Sequence, residues 1–80
     1  MDRRKSYRNK LDKIDEKIAV NIRKKIDLVK EFWKWKKENK IKVIDKKREQ
    51  QIVNKNARKS GLRKEFLKKI YTDIRKEVKR

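Results

Sequence analysis

Apolar residues recur through the first half of the chain at steps of three and four: Leu11, Ile14, Ile18, Ile22, Ile26, Val29 and Phe32. That spacing returns side chains to one face of an α-helix. No comparable stretch alternates with the period of two that a half-buried strand needs. The pattern predicts a first helix from about residue 4 to about residue 38, roughly 50 Å long. Asn39-Lys40 is the expected break. Asp45 suits the N-cap or first turn of a second helix, where its carboxylate can accept from free backbone N–H groups. This helix carries Arg48, Glu49, Ile52, Val53, Asn56 and Ala57, and Ser60-Gly61 ends it, since glycine is the usual residue just past a helix. A third helix is expected from about Arg63 to the end, with Phe66, Leu67, Ile70, Tyr71, Ile74 and Val78 on one side. The fold class is therefore all-α: a long, a short and a medium helix.

Composition tests this pattern. Among 80 residues, 30 Lys and Arg stand against 12 Asp and Glu, for a net charge of +18, and only 34% are hydrophobic. The length allows one domain, residues 1–80. High net charge with low hydrophobicity is the signature of disorder, but a disordered chain has no reason to keep a helical period through three segments. The charge also invites a nucleic-acid reading. The cations are spread over the whole chain without a recognised binding motif, so only non-specific, salt-sensitive nucleic-acid binding is expected. The chain lacks Cys and His. That excludes disulfides, thiolate or imidazole metal sites and Ser-His or Cys-His nucleophiles, so no metal held by those ligands is expected. No stretch approaches the roughly 18 apolar residues of a membrane span. The basic N-terminus, Met1 to Ser6, is not followed by an apolar run, so no secretory signal is expected and the cytoplasm is the default location.

A 50 Å helix overhangs two shorter ones, and a chain of this size buries little core. A homodimer packed through the first helix is the expected remedy. With Ile22 at heptad position a, the a positions are Arg8, Asp15, Ile22, Val29 and Lys36, and the d positions are Leu11, Ile18, Lys25 and Phe32. Three cations and a carboxylate thus share the apolar seam. Any one of them is explained by a packed stem with a snorkelling end, and Asp45, Arg48 and Glu49 by a helix cap with a surface ion pair. Taken together, several inward cations need a partner, because buried charge is costly unless paired. A small dianionic ligand with a hydroxyl group would supply the pairing.

These residues stand in a familiar register. The segment Tyr7-Arg8-Asn9-Lys10-Leu11-Asp12-Lys13-Ile14-Asp15-Glu16-Lys17-Ile18 resembles the opening of the all-helical, AroQ-class chorismate mutases. Leu28 to Lys36 resembles the stretch that ends in that family's catalytic Lys. Ile44-Asp45-Lys46-Lys47-Arg48-Glu49 resembles its Asp-x-x-Arg-Glu motif, and Leu62 and Ile70-Tyr71 fall where its third helix has Leu and Ile-Phe. The resemblance covers about residues 4–80. It implies an intertwined homodimer of three-helix chains that converts chorismate to prephenate without a cofactor. It also implies roles. Arg8 would reach a substrate carboxylate in the partner's site. Lys36 and Arg48 would bind substrate, Lys36 also donating to the ether oxygen. Glu49 and the backbone near Asp45 would hold the ring hydroxyl. Phe32 and Ile52 would supply apolar walls, whereas Trp33 and Trp35 are expected in the core or an interface.

The chain departs from the family at three places. Lys25 stands where a carboxylate-clamping Arg is usual, keeping the charge but losing the fork. Val78 stands where a Ser often aids carboxylate binding. The Gln or Glu that assists at the ether oxygen would fall beyond Arg80. Weak activity, or completion of the site by an activating partner protein, follows as an expectation. Two other functions fit the same residues: lysis of isochorismate to salicylate and pyruvate on a similar scaffold, and a non-catalytic basic helical dimer that binds nucleic acid.

Overall fold

The computed structural model describes residues 3–80; Met1 and Asp2, part of the basic N-terminus considered above, lie outside the described residues. Three α-helices follow one another: α1 (Arg3–Glu38), α2 (Lys46–Ser60) and α3 (Lys64–Val78). The sequence boundaries hold to within two residues, and the reasons are local.

Asp45 is the N-cap of α2, in extended conformation, and its Oδ1 accepts from the Arg48 backbone N–H at 3.0 Å. Gly61 follows α2 at φ 76°, and its N–H donates to the Ala57 carbonyl at 2.9 Å. That left-handed position is open to glycine without steric cost. Ser60 reinforces the corner, its hydroxyl donating to the Asn56 carbonyl and accepting from the Leu62 N–H. The end of α1 is built differently. Lys40 takes φ 55°, the Ile41 N–H donates to the Lys36 carbonyl at 2.8 Å, and the Lys40 N–H donates to Lys37 at 3.2 Å. This is the Schellman arrangement with a lysine where glycine is usual.

α3 packs against both α1 and α2, whereas α1 and α2 make no close backbone contact with each other. The core is small: Val53 and Ala57 of α2 against Leu67 of α3, with Tyr71 packed on them. The Asn56 amide donates to the Tyr71 hydroxyl at 2.9 Å and ties the two helices at the core's edge.

α1 buries none of its residues within the chain. Tyr7, Leu11, Ile14, Ile18, Leu28, Phe32 and Trp35 are each at least half exposed. They are joined by steps of three and four, with Asn21 and Lys25 filling the two positions between Ile18 and Leu28. The chain measures 59 × 24 × 17 Å, and its radius of gyration is 16.2 Å, against about 12 Å for a compact domain of this length. The excess is the overhang of α1.

The two left-handed corners give opposite expectations. Lys40→Gly removes a strained side-chain conformation and should stabilise the fold by about 0.5–1 kcal/mol. Gly61→Ala meets no atom within 4 Å of the added Cβ, yet should destabilise by about 1 kcal/mol through φ alone. Thermal unfolding at one fixed protein concentration checks both, and equal shifts of the same sign would contradict the assignment.

Candidate active site

The gap that α3 holds open between α1 and α2 is a cavity of about 190 Å³. α1 lines it with Lys25, Val29, Phe32, Trp33 and Lys36. The following loop adds Val43, Ile44 and Asp45, α2 adds Arg48, Glu49 and Ile52, and α3 adds Tyr71, Ile74, Arg75 and Val78. Eight of the nine positions singled out by sequence therefore meet in one place: Lys25, Phe32, Lys36, Asp45, Arg48, Glu49, Ile52 and Val78. The ninth, Arg8, does not join them. It is exposed and lies about 25 Å along α1 from Lys25 at the helical rise. Asp15, the other polar residue of the N-terminal seam, is likewise exposed.

Each charged group is held in a particular way. The Lys36 ammonium donates to the Val43 carbonyl at 3.2 Å and sits 4.5 Å from the centre of the Phe32 ring. It therefore ties the α1–α2 loop back onto α1 while its charge faces the cavity. Arg48 is exposed, with its backbone N–H spent on the Asp45 cap while the residue lines the cavity. Glu49, half exposed, forms an ion pair with Arg75 across the α2–α3 interface. Lys25 is exposed as a residue, but its ammonium end lies 4.3 Å from the Tyr71 ring centre. Desolvation there holds its pKa below the ordinary lysine value of 10.5, and the Glu49 charge partly offsets the effect.

The walls are apolar. Val78 is buried and presents only methyl groups. Ile52 is partly buried, whereas Phe32 remains half exposed and stacks at 6.1 Å on Trp35 outside the cavity. The two tryptophans, both expected in a core or interface, divide: Trp33 lines the cavity and Trp35 is exposed. Sequence reasoning missed Arg75. Its signal was available, since Tyr71, Ile74, Arg75 and Val78 occupy positions i, i+3, i+4 and i+7 of one helix face. Four cations and two carboxylates thus line the cavity, a surplus of two positive charges.

The charge of this cavity suits a small dianion, and its lining holds no Ser, Thr, Cys or His. The sequence profile of the family described as chorismate mutase type II matches residues 7–80. This chain belongs to that family. No curated protein and no solved structure matches it. Chorismate mutases are isomerases, and the all-helical architecture of three helices agrees with the family's fold. None of the helices is long and apolar enough to cross a membrane among the described residues.

Lys25 makes the stability of the fold depend on pH. Between its folded pKa and 10.5, the unfolded chain holds more protons on this residue than the folded one, so stability rises with pH across that interval. Below the interval the charged ammonium carries its full desolvation cost. Lys25→Met, which keeps the stem, should raise the melting temperature near neutral pH. The gain should shrink as pH climbs through the lysine range, and paired melts at several pH values would expose a gain that grows instead.

Proposed function

We propose that this chain rearranges chorismate to prephenate, and that its working form is a homodimer in which each site takes Arg8 from the partner subunit. The observation that carries the reading is the convergence of eight sequence-nominated residues on one cavity with two surplus positive charges. Chorismate carries two carboxylates and a ring hydroxyl, which match that surplus and the Glu49 acceptor. The reaction is intramolecular: the ether C–O bond breaks as a C–C bond forms, and no proton changes hands. It needs the substrate folded into its compact reactive conformer, which clamps on both carboxylates impose. It also gains from positive charge at the ether oxygen, where negative charge grows in the transition state.

On this reading Lys36 supplies that charge, and its anchor on the Val43 carbonyl fixes where the ammonium points. Arg48 closes on one carboxylate from α2. Glu49 and the backbone near Asp45 take the hydroxyl. Phe32, Ile52 and Val78 exclude water from the ring, and Lys25 adds a point charge in place of a fork. The product is a precursor of aromatic amino acids, so the chain serves their biosynthesis, with the cytoplasm as its setting. An activating partner protein would supply what Lys25 and Val78 do not.

The uncovered stripe on α1 supports the dimer. Its at least half-exposed residues run from Tyr7 to Trp35 at heptad spacing, the repeat that lets one helix pack along another. A second copy would cover the stripe and bring an Arg8 to each cavity.

Loss of chorismate absorbance follows turnover. Lys36→Ala should lower kcat by about a hundredfold or more, the scale of removing one donor to a growing oxyanion. Arg8→Ala should be similarly impaired. Mixing unfolded Arg8→Ala and Lys36→Ala chains and refolding them together should restore about a quarter of wild-type activity. Half the random dimers are then mixed, and each mixed dimer holds one intact site. Failure of the mixture to recover would rule out a shared site, and unchanged activity in Lys36→Ala would rule out the residue's role.

A further inference from the structure

Arg75 is the cavity residue that neither spacing nor resemblance nominated. Its side chain is about three-quarters buried, at 26% exposure. Among the described residues its guanidinium makes one contact, from Nη1 to Glu49. An arginine has five N–H donors in a rigid fork, so most of them stay uncommitted at the wall of the cavity. The other cations differ. Lys36 is bound to the Val43 carbonyl, Lys25 rests on Tyr71, and Arg48 lies exposed on α2. Without Arg75 the surplus in the cavity would be one positive charge, too few for a dianion from this chain's own residues.

Resting on the mutase reading, we propose that Arg75 is a substrate ligand: it keeps Glu49 on one nitrogen and offers its remaining donors to a carboxylate of the dianion. The arrangement does two things at once. It gives α3, whose Val78 wall is apolar, a bidentate group for a carboxylate. It also sets that carboxylate and the Glu49 acceptor at a fixed separation, because one planar group holds both.

The test is calorimetric titration of the full chain with chorismate, run beside turnover, for Arg75→Met and Arg75→Lys, each alone and combined with Glu49→Gln. Arg75→Met should weaken binding by about tenfold or more, the scale of a lost charge-assisted hydrogen bond, with a smaller fall in kcat. Arg75→Lys should recover part of the loss. The loss should persist in the Glu49→Gln background, where the ion pair through which Arg75 could act on Glu49 is gone. Binding within about twofold of wild type, or a loss that vanishes once Glu49 is Gln, would overturn the proposal while leaving the mutase reading intact. Wild-type chain that neither binds nor turns over chorismate would overturn both. Should Arg75→Met fail to fold by circular dichroism, Arg75→Lys decides: it keeps the charge that pairs Glu49 but not the fork, and undiminished binding would overturn the proposal.

Discussion

Two helices of 15 residues cannot cover one of 36. Most other features of the molecule follow from that mismatch. α3 lies against both neighbours and buries what core there is, and its width keeps α1 and α2 apart. The space left between them is the cavity, so the site is a by-product of how the helices fail to close. The rest of α1 runs on with its apolar stripe uncovered, and that stripe is the surface on which the proposed subunit contact depends.

Charge placement follows the same geometry. A closed three-helix bundle would force Lys25, Lys36 and Arg75 into a dry core at heavy desolvation cost. Here each reaches the cavity edge and meets only partial partners: a ring face, a carbonyl or a single carboxylate. None is fully compensated. The cost is held down by open access to water, and it can be recovered when an anion replaces that water. The same argument explains how the chain tolerates +18 overall. Most of the charge is solvated and carries no information about the site, though it can draw anions toward it.

Much of this was legible in the sequence because it is local. The period of α1, the Asp45 cap and the Gly61 corner each depend on neighbours within a few residues. The convergence of Lys25, Lys36, Arg48 and Glu49 was legible through spacing and resemblance together. Two features escaped. Lys40 adopts a left-handed conformation with a side chain that carries no signal for it. The Glu49–Arg75 pair joins residues 26 apart, and no spacing rule links positions on different helices. Arg75 was hidden for a further reason: in a chain with 30 basic residues, one more cation on an amphipathic face draws no notice until its depth is known.

The division of the two tryptophans has an optical consequence. Trp33 faces the cavity, while Trp35 sits in the exposed stripe, stacked on Phe32. The chain has no third indole. A ligand entering the cavity changes the surroundings of the first, and a helix laid on the stripe changes those of the second. With either one replaced by phenylalanine, the fluorescence of the other becomes a separate gauge: one of occupancy, one of association. The protein thus carries its own probes for the two events on which its chemistry is proposed to depend.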